Sequence, residues 1–231
     1  MQSIAQQLNN VRESIHKLEQ KYGRDEASVR LLAVSKTRSS QEILEIAREG
    51  QKHFGENYQQ EALLKINDLR DEDICWHFIG PLQSNKAKGV AENFDWIHSL
   101  DRLKLAQKLS RLRPASMSPL NTCIQVNISE ESSKSGIDAG QLFDFAAKVA
   151  ELRGISLRGL MALPAPVKDF ESQRKQFSRL HELYKELCKQ GHQLDTLSMG
   201  TTSDMEAAIA EGSTMVRIGT AIFGPRKQNR R

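Results

Sequence analysis

Apolar residues at Ile4, Leu8, Val11, Ile15 and Leu18 recur in steps of four and three, a spacing that lays one stripe along a helical face. It predicts a helix over 1–22, closed at Gly23. The stripe is shorter than the ~3–4 heptads a coiled coil needs, so this helix is expected to pack on the chain's own core. A different pattern follows. Leu31-Leu32-Ala33-Val34-Ser35-Lys36 is a short continuous apolar run, the mark of a strand buried on both faces of a parallel sheet. Ser39 with Glu42 three positions later has the form of a capping box, and Gly50 closes the helix it opens.

The alternation then repeats. Strand-like runs fall at 53–57, 75–80, 96–100, 122–127, 157–163, 196–200 and 215–223, and amphipathic helical stretches fill most gaps, notably 138–152 and 169–190. Eight strands alternating with helices, without a Gly/Ser-rich or Pro-rich linker, predict an α/β fold. The leading architecture is a single (β/α)8 TIM-type barrel over 1–231 with an additional N-terminal helix. A doubly wound open sheet is the second choice, but its GxGxxG phosphate fingerprint is absent from the chain.

Composition narrows the function classes. At 231 residues, with 39% hydrophobic and 27% charged positions, the chain has the balance of a globular domain. No window approaches the ~20 apolar residues that span a bilayer, and the N-terminus lacks the form of a signal peptide. The net charge of +4 is interspersed rather than blocked, which argues against nucleic acid as a partner. Cys75, Cys123 and Cys188 form neither a CxxC pair nor a zinc-type cluster, so no metal is expected and a reducing cytoplasm is.

In a (β/α)8 barrel the reactive groups stand at the C-terminal ends of strands, and phosphate is commonly held after strands seven and eight. Lys36 closes the first strand. An amine on an apolar wall has its ammonium form disfavoured, which suits it to attack a carbonyl and form a Schiff base; most lysines, by contrast, are solvated surface charges. After the seventh strand, Gly200-Thr201-Thr202-Ser203-Asp204 places a glycine and hydroxyls at a helix start, where an anion is favoured. Ser203 with Glu206 is also a capping-box pattern, which leaves Thr202 and the backbone after Gly200 as the better phosphate candidates. The eighth strand carries Arg217 inside an apolar run, followed by Gly219-Thr220. A buried arginine needs a partner, either a carboxylate such as Glu56 or an electronegative ligand atom. A strand-end lysine, two phosphate-suited loops and an inward arginine describe a pyridoxal phosphate pocket better than a sugar-phosphate one.

At these residues the chain resembles the YggS/PROSC family of pyridoxal 5′-phosphate-binding proteins over nearly its whole length. The resemblance is carried by Leu32-Ala33-Val34-Ser35-Lys36, His53-Phe54-Gly55-Glu56-Asn57, Trp76-His77-Phe78-Ile79-Gly80-Pro81-Leu82-Gln83-Ser84-Asn85-Lys86, Gly159-Leu160-Met161 and Arg217-Ile218-Gly219-Thr220-Ala221-Ile222-Phe223-Gly224. It extends to Asn127-Ile128-Ser129 and Lys134-Ser135-Gly136-Ile137. It implies a barrel similar to the N-terminal domain of alanine racemase, with pyridoxal phosphate as a Schiff base on Lys36. Arg217 would face the pyridine nitrogen, Thr202, Gly219 and Thr220 would hold the phosphate, and Asn57 would lie beside the ring. Family members commonly have methionine and serine after the glycine of the phosphate loop. Here Thr202 keeps the hydroxyl, while Thr201 in the methionine position has no explanation.

Three further positions carry two readings each. His77 would point toward the barrel mouth and the cofactor, or be a hydrogen-bonded structural residue between Trp76 and Phe78. Lys134 would be a second acceptor of the aldehyde, or a solvated loop charge. The end of the chain, 226–231, would contact an anionic partner, or be a plain basic tail.

Two function classes follow: a protein of vitamin B6 homeostasis that buffers pyridoxal phosphate or delivers it transiently to apoenzymes, or a racemase-like enzyme. An arginine at the ring nitrogen leaves it unprotonated and a poorer electron sink than a carboxylate would. Racemisation needs a base on each face. In similar racemases the second is a tyrosine from a further domain, whereas this chain stops just after its eighth strand, and only Tyr58 among its tyrosines lies near enough to serve. The expectation is therefore a cytoplasmic, monomeric binding protein without a demanding catalytic step. A sugar-phosphate enzyme using Glu56 as base is a third reading, which gives Lys36 and Arg217 no task.

Overall fold

The computed structural model describes residues 3–129 and 135–225. Eight parallel strands follow one another around a closed barrel: β1 (Arg30–Val34), β2 (His53–Glu56), β3 (Cys75–Phe78), β4 (Trp96–Leu100), β5 (Leu120–Gln125), β6 (Ile155–Met161), β7 (Thr196–Ser198) and β8 (Met215–Ile218). Ring closure is made by β1 on β8, with Leu31 opposite Val216 and Leu32 opposite Arg217. The TIM-type barrel expected from the alternation is the fold, and no open sheet is formed.

Helices α1 (Ile4–Lys21), α2 (Ser40–Arg48), α3 (Gln59–Asp68), α4 (Ala87–Asn93), α5 (Leu103–Leu112), α6 (Leu142–Ala150), α7 (Phe170–Lys189), α8 (Met205–Ala210) and α9 (Thr220–Phe223) surround the strands. The stripe of α1 lies on the barrel as its spacing requires: Leu8, Val11 and Ile15 are buried in the main core, and Ile4 and Leu18 pack against it. Each fully buried aliphatic side chain there contributes about 1.5–3 kcal/mol. The capping box at α2 is formed, with Glu42 N–H donating to Ser39 Oγ at 3.2 Å and Ser39 N–H donating to Glu42 Oε2 at 2.8 Å.

Two expectations are corrected. The run 215–223 is not one strand: β8 ends at Ile218, the chain turns at Gly219, and Thr220–Phe223 is the short helix α9. A short apolar run does not by itself distinguish strand from buried helix. Nor does Ser203 cap α8. The N-cap is Asp204, whose carboxylate accepts from the Thr201 N–H at 2.5 Å, while Glu206 is drawn to Lys21 and Tyr22 of α1 at 2.7 and 2.9 Å.

Alternation of side chains along each strand separates two cores. Leu31 and Ala33 of β1 face the helices in the main cluster, whereas Leu32 and Val34 face the lumen with Ile79 and Met215. A second lumen cluster joins Trp96, Cys123 and Met161. Between these apolar groups runs a polar column. His77 Nδ1 lies 2.9 Å from His98 Nε2, and His98 Nδ1 lies 2.9 Å from Ser198 Oγ. His77 therefore points into the lumen toward its neighbours rather than out at the C-terminal mouth, and its ring stacks on Trp96 with centroids 5.2 Å apart.

Burial lowers His98 from 6.5 to about 3 and holds His77 well below its ordinary value, helped by the charges of its neighbours. Both rings stay neutral in the folded protein at pH values where the unfolded chain protonates them. Folding stability should therefore fall as pH drops below 6.5, at about 3 kcal/mol per pH unit for two such protons. Urea unfolding at pH 7 and pH 5 measures this: the expected result is a clear loss of midpoint at pH 5, and an unchanged midpoint would mean that these rings are charged or solvated in the folded state.

Candidate functional site

At the C-terminal ends of the strands lies a cavity of about 470 Å³ that brings together Lys36, Asn57, Thr202, Arg217, Gly219 and Thr220 against an apolar wall of Val34, Ile79 and Leu163. These come from four separate places in the chain. Lys36 stands two residues beyond β1, Asn57 one beyond β2, Thr202 follows β7, and Arg217 in β8 is followed by Gly219 and Thr220 at the start of α9. Gly200 lines an adjoining cavity of about 220 Å³ that shares Thr201, Ser203 and Arg217 with the first. His77 does not line either. Lys134 and the tail 226–231 lie outside the described residues.

Two glycines fix the walls. Gly200 has φ +96, and a Cβ there would lie 2.5 Å from that of Ala208 in α8; glycine enters this left-handed region without the cost other residues meet. A Cβ on Gly80 would lie 2.1 Å from the carbonyl oxygen of Asn57, so only glycine lets the chain after β3 support Asn57. The Asn57 Oδ1 atom is buried without a hydrogen-bond partner among the described residues, an acceptor turned to a site where a ligand would supply the donor.

Arg217 is 4% exposed, and no carboxylate of the described residues forms an ion pair with it. Its Nη1 donates to Ser198 O at 2.7 Å and to Ser198 Oγ at 2.8 Å, and its Nη2 donates to Ala162 O at 2.8 Å. Burial lowers its pKa to about 10, with Asp204 opposing, which leaves it cationic at neutral pH. A guanidinium has five N–H groups, so two remain for the cavity it lines. Glu56 is engaged elsewhere: its Oε1 accepts from Ser35 Oγ at 2.6 Å and from Lys65 Nζ at 2.8 Å, and it is absent from the cavity lining. A carboxylate so bound is poorly placed to act as a base on a ligand.

Residues 6–227 match the family described as alanine racemase, N-terminal domain. The chain belongs to this family. Across its full length it is 50% identical to the pyridoxal phosphate homeostasis protein of Vibrio cholerae, 99% of which is covered. It is 36% identical to PipY of Synechococcus elongatus, solved with pyridoxal phosphate bound; 96% of this chain superposes on 100% of that one with a TM-score of 0.83. An alanine racemase of Clostridium difficile, 15% identical, shares the fold with a TM-score of 0.73 over 98% of this chain and 58% of that one.

In this member of the family, the footing of Lys36 escaped the sequence. Lys65 of α3, 5% exposed, donates to Ser35 O and Glu56 Oε1, both at 2.8 Å, and to Glu61 Oε1 at 2.5 Å. Glu61 in turn accepts from the Thr37 N–H at 2.6 Å. Thr37 has φ +63, a left-handed conformation that costs a β-branched residue about 1–3 kcal/mol and persists only where the surroundings impose it. The two residues flanking Lys36 are thus both held by one ion-pair network. Its one legible trace is Glu61 and Lys65 at a helical i, i+4 spacing.

Burial pushes Glu56 above its usual range while Lys65 and Ser35 pull it back. Lys65→Met removes the compensating charge and should destabilise the protein by about 3–5 kcal/mol. Adding Glu56→Gln should recover part of that loss. Thermal or urea unfolding of the two variants measures this, and a Lys65→Met protein as stable as the parent would show that the network does not hold the loop.

Proposed function

We propose that this protein binds pyridoxal 5′-phosphate covalently through Lys36 and serves intracellular homeostasis of that cofactor, by buffering it or handing it to apoenzymes. The observation that carries the reading is the convergence of Lys36, Arg217 and the hydroxyl-bearing loops at 201–203 and 219–220 on one cavity. Its size lies within the ~300–1,000 Å³ of small-ligand sites. The name of the Vibrio cholerae relative and the ligand of PipY support it.

The residues present fit the group. Lys36 would hold the aldehyde carbon. Arg217 would offer one of its uncommitted N–H groups to the ring nitrogen, which would accept a hydrogen bond instead of carrying a proton. Thr202, Gly219 and Thr220, with the backbone after Gly200, hold the phosphate, and Asn57 offers its buried acceptor beside the ring. When bound, the cofactor supplies an electrophilic carbon and an electron-accepting ring. A donor-only arginine at the nitrogen weakens that sink, which favours storage and release over carbanion chemistry. Among the described residues lining the cavity, Lys36 is the one amine or carboxylate that could act as a base on a ligand, and two-sided proton transfer needs a second. Tyr58 is 57% exposed and lines a neighbouring cavity. Among the described residues no helix is long and apolar enough to cross a membrane, and the reading places the protein in the cytoplasm as a monomer.

Absorbance of the protein mixed with pyridoxal phosphate, before and after borohydride, followed by mass mapping of the fixed adduct, tests this. A visible band that collapses on reduction, with the adduct on Lys36, is expected, and Lys36→Ala should lose both while keeping its circular dichroism. An adduct found on Lys134 instead would overturn the assignment. Arg217→Glu, which places an acid at the ring nitrogen, should shift the band or weaken binding; an unchanged spectrum and affinity would mean that Arg217 faces elsewhere.

A further inference from the structure

Binding of a cofactor leaves unexplained why three imidazoles stand in line inside the barrel. Beyond Ser198, which accepts from Arg217, the column continues from His98 to His77, whose Nε2 lies 3.0 Å from His53 Nδ1 and 3.4 Å from Cys75 Sγ. Ser198, His98 and His77 are fully buried. His53 is half-buried and lines a cavity of about 400 Å³ at the N-terminal ends of the strands, beside Arg12, Arg30 and Lys52. The column therefore crosses the barrel from one end to the other.

We propose that this column is a one-way hydrogen-bond chain whose direction is set by Arg217, and that His98 and His77 are positioning residues for that arginine. The inference rests on the reading of Arg217 as the partner of the ring nitrogen. A guanidinium only donates, so Ser198 Oγ accepts from Arg217 and must send its own proton elsewhere. His98 Nδ1 is the acceptor within reach, and a buried hydroxyl left without one loses its hydration uncompensated. A neutral imidazole has one donor and one acceptor nitrogen. If His98 accepts at Nδ1, it donates from Nε2 to His77 Nδ1, and His77 donates from Nε2 to His53 or to the Cys75 sulfur. All the donors point away from the arginine. The opposite direction would aim His98 at an oxygen already facing Arg217 and leave the serine proton with no acceptor.

The donor atoms of His53, Cys75 and His77 all lie within 4.8 Å of one another, which makes a divalent transition metal the competing occupant. A metal there needs the lone pair of His77 Nε2, and so needs the opposite direction. It would also sit beside Arg30 and Lys52, whose charges already act on His53. The directed chain instead gives every polar side-chain atom of Ser198, His98 and His77 a partner. It fixes the Ser198 hydroxyl so that its lone pair faces the guanidinium, which holds the remaining N–H groups of Arg217 toward the cofactor cavity.

Long-range proton–nitrogen NMR on the cofactor-free protein with labelled histidine reads the tautomers directly. His77 and His98 are both expected in the Nε2–H form, and an Nδ1–H form at either would overturn the direction. This holds whether or not pyridoxal phosphate binds, so it fails separately from the cofactor reading. On the protein loaded with pyridoxal phosphate, His98→Leu should weaken binding about tenfold and shift the visible band, while His98→Gln, which keeps an acceptor and a donor, should restore both. Identical behaviour of the two variants would overturn the positioning role. Stoichiometric Zn²⁺ binding by calorimetry that disappears in Cys75→Ser would replace the chain with a metal site.

Discussion

A cation in the middle of a barrel must be answered by acceptors, and Arg217 is answered by two carbonyls and a hydroxyl where a carboxylate would have been the ordinary solution. That choice reaches both ends of the molecule. A carboxylate beside it would cancel its charge; held by neutral oxygens, it brings a net positive charge and two uncommitted N–H groups to the cavity. The acceptors belong to Ser198 at the end of β7 and Ala162 just beyond β6, so closure of the ring places the arginine as a consequence of barrel geometry. The buried histidines continue the same logic inward, each taking up the proton its neighbour must give away.

Lys36 depends on a second buried charge. The network of Glu56, Lys65 and Glu61 does not touch the cavity, yet it grips the backbone on both sides of the lysine and holds Thr37 in a conformation that a β-branched residue avoids. The two reactive groups are thus set by different means. Arg217 is held by strands and hydrogen bonds to neutral atoms, whereas Lys36 is held by a loop pinned through an ion pair.

The barrel was legible because strands buried on both faces must be apolar throughout, so that Leu31 to Val34 and the later runs stand out from the amphipathic helices between them. Legibility failed where that signal is ambiguous, as at Thr220 to Phe223, which is apolar but helical. It failed again where a local pattern lost to a tertiary partner, as at Glu206, taken by α1 rather than by Ser203. The rule that barrel chemistry sits at the C-terminal ends of strands points to Lys36, Thr202, Arg217, Gly219 and Thr220, whereas Asn57 rests on the family resemblance alone. It had no means of finding Lys65, because a lysine on an amphipathic helix reads as solvated. It could not find the histidine column either: Ser198 and His98 are a hundred residues apart, and only closure of the ring brings them together. His77 is legible as a strand residue, but its direction depends on the neighbouring strands.

The most direct measurement is a crystal structure of the protein grown with pyridoxal phosphate. The account predicts density continuous with the Lys36 Nζ atom, the pyridine nitrogen within hydrogen-bond distance of Arg217, and the phosphate among Thr202, Gly219 and Thr220. Density joined to another lysine, or a ring nitrogen turned away from Arg217, would contradict it.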